Sequence, residues 1–175
     1  VMSKGTVKYD VICASDYMIQ KLLKKKLLAK LDYKNLPNFE NIDQRYMQIA
    51  SKFDKNNEYA IPHTWGVLGV MYNTKKIRQG EIESWNDLLK KKYDQQIVMP
   101  DSVRDNFAIA LKAKGYSINT KSEAELNKAT KFLQDQSPLV YKYSNDAARD
   151  LAIGGSTDIA VVWNGEVLYS REENS

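Results

Sequence analysis

The chain is poor in the residues that build covalent and metal-held frameworks. Among 175 residues there is one cysteine, Cys13, and one histidine, His63. A single cysteine forms no intrachain disulfide, and this pair makes no His/Cys metal site. His63 has no catalytic partner recognisable in sequence and the chain holds no G-x-S-x-G elbow, so hydrolytic chemistry finds little support. No apolar run approaches the twenty or so residues of a membrane-spanning helix, and there is no internal repeat or low-complexity segment. The opening residues, VMSKGTVKYD, do not read as a signal peptide, and Val1 leads straight toward a predicted strand. The sequence is therefore expected to be a fragment or a processed form of a longer protein, and localisation is not readable from the ends of this piece.

What is present is the composition of an ordinary globular protein, with 43% apolar and 27% charged residues. This length buries one sizeable core or two small ones. The net charge is +4, with lysines clustered at 24–26, 75–76 and 90–92. These runs lack the interleaved aromatics on which bases stack, so they read as solvated helix faces and no nucleic-acid partner is expected.

The chain is organised around residues 57–72, NEYAIPHTWGVLGVMY, two apolar extended runs joined at Trp65-Gly66. Pro62 makes the first run an edge or connecting strand. The second, residues 67–72, is β-branched and aromatic. Together they read as a hinge between two lobes, with a ligand cleft beside it. Before the hinge, residues 7–14 form a nearly continuous apolar run suited to a buried parallel strand, with Cys13 inside it. Ser15 then caps a helix that aligns Ile19, Leu22 and Leu23, and a short helix is expected over 41–49.

Beyond the hinge, strands alternate with helices. Ser84-Trp85-Asn86-Asp87 opens a helix over 85–91, residues 96–99 form a strand, and Asp101 caps a helix ending at Gly115. Helices over 122–134, 146–153 and 164–171 and strands over 139–143 and 158–163 complete an α/β pattern with parallel sheets.

Three predicted strands end in turns that lead into helices, at Ser15-Asp16-Tyr17, at Asp101-Ser102 with Asp105 one turn on, and at Trp163-Asn164-Gly165-Glu166. In open α/β sheets, ligands sit outside the carboxyl ends of the strands. Helix N-termini ordinarily attract anions, but here each carries a carboxylate, which favours a cation. Acidic residues near helix starts are also simply good caps. The recurrence in three turns, beside Tyr17 and Trp163, favours a site, because aromatic faces hold methylenes and attract ammonium groups.

In order along the chain, YDVICASDYMI, NEYAIPHTWGVLGVMYNT, SWNDLL, the D-S-V-R-D helix start followed by LKAKGYSIN, and VVWNGEV resemble the spermidine/putrescine-binding substrate-binding proteins of bacterial ABC transporters. The likeness covers nearly the whole chain. It implies the type II periplasmic-binding-protein fold, two lobes joined by a strand hinge and closing on ligand. Residues 1–66 would be part of the first lobe, 67–162 the second lobe, and 163–175 a helix leading back. The resemblance implies extracytoplasmic polyamine capture, a polyamine ligand, membrane permease subunits as partners, and neither a cofactor nor catalysis. By the same resemblance Ser15 and Tyr17 match positions that contact the polyamine from the first lobe. Asp105 matches an acid that holds an amine, Trp163 an aromatic wall and Glu166 a position acidic in some members, while Trp65 lies near the hinge. The family pattern has a second acid where Ser102 stands and a glutamate where Asp105 stands, so by this resemblance one amine-pairing carboxylate is either lost or displaced to Asp101 or Asp16. The family's aromatic-rich N-terminal segment and a later tryptophan-aspartate pair are not in this sequence, which implies a first lobe, and a pocket, that are incomplete here.

Two other classes stay open on sequence grounds. One is a type II fold for another small ligand or for effector binding in a transcription regulator, although no helix-turn-helix precedes this segment. The other is an enzyme on a similar scaffold, for which only Ser15 and His63 are on offer.

Overall fold

The structure, a computed structural model, describes residues 9–173, which fall into two compact units divided between Trp65 and Gly66.

In the first unit, helix α1 (Asp16–Lys24) buries Ile19 and Leu22, two of the three apolar positions expected of it, with Leu23 partly buried, and ends as Lys26 takes a left-handed φ of 53°. Helix α2 (Gln44–Ala50) buries Met47 and Ala50, and the Asp43 carboxylate caps it by accepting the Arg45 N–H at 2.8 Å. It starts three residues later than the expected helix because Asp43 supplies the cap. Residues 9–14 form no strand, and residues 7 and 8 lie outside the described residues. An apolar run becomes a strand only when a neighbour pairs with it, and among the described residues this unit contains no other strand. Val11 is 88% exposed and Cys13 is exposed, so neither fills the core position expected for it.

The unit is held instead around Asp54, only 2% exposed, whose Oδ2 accepts the N–H groups of Tyr59 and Ala60, each at 2.8 Å. The chain reaches that geometry through left-handed Asn56 and Asn57, a conformation asparagine tolerates better than most residues. Asn57 Nδ2 donates to the Met47 carbonyl at 3.1 Å, and the Tyr33 hydroxyl donates to the Asn57 carbonyl at 2.5 Å. Burial, and then the Asp54 charge, hold the Tyr33 hydroxyl above its ordinary pKa. Residues 60–67 are irregular rather than a strand, their start tied to Asp54 and not to a ladder.

The second unit is a four-stranded sheet in the order β1-β4-β2-β3, formed by β1 (Leu68–Tyr72), β2 (Ile97–Met99), β3 (Val140–Tyr143) and β4 (Ile159–Trp163). β2 runs parallel to both β3 and β4, as expected of strands joined through helices. β1 is antiparallel to β4, so the sheet is mixed and not wholly parallel. The register gives the reason. Tyr72 at the end of β1 lies opposite Ile159, which lies opposite Ile97 at the start of β2. The connection over 73–96 thus begins and ends at one edge of the sheet and needs no crossover. It carries short 3-10 helices, Trp85–Leu89 and Lys91–Tyr93, where one α-helix was expected. Ser84 and Asp87 do form the anticipated capping box.

Alternation along the strands divides the interior in two. Ile97, Met99, Ile159 and Val161 face one side with Leu88 and Ile109, while Val98, Ala160 and Val162 face the other with Ala148. Helix α3 (Val103–Ala113) covers the first side and packs through Ala110 and Leu111 on α4 (Glu123–Gln136), which contributes Ala129 and Phe132. Helices α5 (Ala148–Ile153) and α6 (Asn164–Glu173) cover the second.

Candidate binding site at the carboxyl edge of the sheet

In the second unit β2, β3 and β4 point the same way, so the turns that follow Met99, Tyr143 and Trp163 lie along one edge of the sheet. The start of β1 joins them there, since Leu68 is the cross-strand partner of Trp163. This edge carries every residue of the unit singled out from sequence: Asp101, Ser102, Asp105, Trp163 and Glu166.

The Met99 turn is a small polar scaffold. Ser144 N–H donates to the Met99 carbonyl at 2.9 Å. Asp101 N–H donates to Asn145 Oδ1 at 3.0 Å, and Asn145 Nδ2 donates back to the Asp101 carbonyl at 3.3 Å. Asn145 therefore fixes the backbone of Asp101 and leaves its exposed carboxylate outward. Asp101 is not the cap of α3. That place belongs to Ser102, whose Oγ accepts the Asp105 N–H at 3.3 Å, because its extended backbone aims the hydroxyl back along the first turn. Asn106 closes the turn from beneath, its Nδ2 donating to the carbonyls of Pro100 and Ser102 at 2.7 and 2.9 Å. Asp105 is half-buried in the first turn of α3. Its carboxylate has no hydrogen bond or ion pair among the described residues.

Trp163 is 47% exposed at the end of β4. Its partner Leu68 packs with the core on the α3 side, and paired residues share a face, so the indole belongs to the side of the sheet that α3 covers. Asn164 then ties the start of β1 to the start of α6. Its N–H donates to the Val67 carbonyl at 2.9 Å and its Oδ1 accepts the Val67 N–H at 3.0 Å. Glu166 is differently placed. Its carboxylate is bound by Arg149 Nη1 at 3.0 Å, while Arg149 Nε holds Asp150 at 2.8 Å and the guanidinium lies 4.5 Å from the Tyr169 ring centroid. The Asp150 hydrogen bond foremost holds the Arg149 pKa above its ordinary value. The charge of Glu166 is thus already answered within the protein, whereas Asp101 and Asp105 have no ion pair among the described residues.

The first unit presents its residues separately. Ser15 occupies the N-cap of α1, but its hydroxyl makes no capping bond, and the Asp16 carboxylate accepts the Tyr17 N–H at 2.6 Å instead. Ser15, Asp16 and Tyr17 are all exposed. Trp65, 65% exposed, stacks on Tyr46 with centroids 6.1 Å apart and planes at 25°.

Sequence reasoning did not reach Asn145, Arg149 or Tyr143, the last exposed at the end of β3 beside Met99. Tyr143 was findable, as the aromatic that ends a predicted strand. Asn145 and Arg149 act through partners 44 and 17 residues away, which no local pattern marks. An apolar groove of about 350 Å³ lies between β1 and α6, lined by Val67, Val70, Val162, Val167 and Leu168. It includes none of the carboxylates.

The model of the family of bacterial extracellular solute-binding proteins matches residues 1–174. The spermidine/putrescine-binding periplasmic protein of Salmonella typhimurium is 32% identical over 164 residues, which are 94% of this chain and 47% of that protein. A Listeria monocytogenes protein described as a spermidine/putrescine ABC transporter is 31% identical and superposes with a TM-score of 0.88 over 98% of this chain and 53% of its own. The spermidine/putrescine ABC transporter substrate-binding protein of Streptococcus pneumoniae is 30% identical, with a TM-score of 0.74 over 98% of this chain and 52% of its own. The chain spans about half the length of the relatives it matches. Its mixed sheet with helices on both faces is the architecture of the periplasmic-binding-protein fold. With all but its last residue matched by the family, this chain belongs to the bacterial extracellular solute-binding proteins.

Proposed function

We propose that the chain is part of a protein that captures polyamines, spermidine or putrescine, outside the cytoplasm for import by an ABC transporter, and that it acts by binding alone, without catalysis. In this reading residues 1–66 belong to a first lobe, residues 67–162 make the second, and residues 163–175 lead back toward the first. Membrane permease subunits are the partners, and nucleic acid is not.

The observation that carries the reading is the half-buried carboxylate of Asp105, without a hydrogen-bond or ion-pair partner among the described residues, at a sheet edge that also holds the exposed Asp101 carboxylate and the exposed indole of Trp163. A polyamine offers what these groups lack: ammonium donors for the acids and a methylene chain for the ring. Asp105 takes one ammonium, Asp101 supports it, Ser102 holds the helix end that presents Asp105, and Trp163 walls the chain. Glu166 stands back from direct pairing because Arg149 holds it. Ser15, Asp16 and Tyr17 serve from the first lobe, and Trp65 belongs to the hinge. The names of the relatives from Salmonella and Streptococcus support the same ligand class.

In the complete protein, Asp105→Asn keeps the size of the side chain and removes its charge. Calorimetric affinity for spermidine or putrescine is expected to fall by about 1.5–3 kcal/mol, the range for a hydrogen bond to a charged group. Unchanged affinity removes Asp105 from the site.

A further inference from the structure

Gly66 is the first residue of the second unit, and it has no left-handed backbone that would call for glycine. What calls for glycine there is space. A Cβ at position 66 would lie 3.1 Å from Asn164 Oδ1 and 3.2 Å from Trp163 Cε3, both tighter than ordinary van der Waals contact. Neither neighbour gives way without consequence. Cε3 belongs to a rigid fused ring, so it moves only if the whole indole turns. Asn164 Oδ1 is held by the Val67 N–H at 3.0 Å, and the Asn164 N–H by the Val67 carbonyl at 2.9 Å. Relief at Asn164 therefore breaks the clamp that fastens the entry to β1, and relief at Trp163 rotates the exposed ring.

We infer that Gly66 is a positioning residue for ligand binding: its bare backbone lies against the Trp163 indole, sets the orientation of that ring, and so fixes the wall against which the methylenes of an alkyl-ammonium ligand pack. Asn164 is the second part of the device, since it holds the chain at Val67 and keeps Gly66 in place. The inference rests on the proposed polyamine site for its ligand, but the orientation of Trp163 is a property of the free protein and can be read alone.

The experiment uses the complete protein labelled with 5-fluorotryptophan, the Trp163 resonance being assigned by its loss in Trp163→Phe. Gly66→Ala is expected to shift that resonance without ligand and to weaken putrescine and spermidine binding roughly 2- to 30-fold, the equivalent of one aromatic–ammonium contact. In a Trp163→Phe background, which lacks the fused ring, Gly66→Ala is expected to cost no further affinity. Asn164→Ala provides a second route and is expected to shift the same resonance. An unmoved Trp163 resonance in both variants overturns the inference. So does an equal loss of affinity with tryptophan or phenylalanine at position 163, which would assign the effect to the backbone. A protein that binds no polyamine, yet whose Trp163 resonance moves with Gly66→Ala, refutes the proposed ligand and upholds the positioning.

Discussion

The two units reach a fixed structure by different means. Residues 66–173 bury apolar surface on both faces of a sheet, and 17 of the 21 buried apolar side chains among the described residues are there. Residues 9–65 bury the other four, Ile19, Leu22, Met47 and Ala50, and among the described residues form no sheet. Their order comes from backbone groups collected by a few polar side chains, with Asp54 and Asn57 at the centre. Apolar burial, at roughly 25 cal/mol per Å², accumulates over many contacts and tolerates the loss of one. A buried carboxylate that satisfies two amides concentrates the same task in a single group. The contrast predicts deep hydrogen-exchange protection in the strands and helices after Gly66, and shallow protection before it apart from the amides that Asp54 holds.

The largest expected effect tests the first half of that comparison. Phe132, 2% exposed, fills the space between α3 and α4 with Leu111 and Ala129. Phe132→Ala should cost about 3–5 kcal/mol of unfolding free energy, measured by denaturant titration. Exchange rates over 9–65 should change little, because that unit is already weakly protected. A cost below 1 kcal/mol would show that the α3–α4 interface is not well packed.

The next effect tests the second half. Asp54→Ala leaves the partly buried amides of Tyr59 and Ala60 without their acceptor, at a cost of about 1–3 kcal/mol. Exchange at these two amides should accelerate along with that of α2, while the sheet of the second unit keeps its rates. Uniform acceleration across the whole chain would mean that the units do not open separately.

The smallest effect asks whether a polar device of the same kind, set in the apolar unit, matters less. Asp87 accepts the N–H groups of Glu83 and Ser84 at 3.0 and 2.8 Å and pairs with Lys90 at 2.7 Å. The Lys90 hydrogen bond first, and then those amides, hold its carboxyl well below the usual carboxylate range. A lowered folded pKa gives stability that is fully present above the unfolded value, near 4, and is lost as pH falls through the folded value. Asp87→Ala should therefore cost about 0.5–2 kcal/mol at pH 7. The difference between wild type and variant should shrink below pH 4. A difference that stays constant from pH 7 to pH 2 would show that the side chain acts by packing alone.

The degree to which the chain was legible follows the same division. In the second unit each element carries its own local signal. Ile97, Val98 and Met99 are apolar in succession, Ser102 and Ser122 stand three residues before the amides they cap, and β4 reads Ile159-Ala160-Val161-Val162. Local sequence is enough there because each strand and helix meets the partners it is built for. The first unit misleads where an apolar run is read as a strand. Residues 9–14 have the composition of one, but a ladder needs a neighbour, and among the described residues of that unit none exists. Asp54 carries no local mark of its role, since the N–H groups that donate to it lie five and six residues on, past two left-handed asparagines.

The candidate site divides in the same way. The sequence by itself determined that acids and aromatics stand in the turns after strands, because strand periodicity and helix-start chemistry are properties of neighbouring residues. It also determined the family, through the order of its motifs. Only the tertiary structure decided which of those acids keeps its charge available. Arg149, 17 residues before Glu166, answers that carboxylate, Asn145, 44 residues past Asp101, binds the Asp101 backbone and leaves its carboxylate unpaired among the described residues, and Asn164 reaches back 97 residues to Val67 to press a glycine against Trp163. An ion pair or a close approach depends on distance in space, and folding sets that distance through contacts that local pattern does not record.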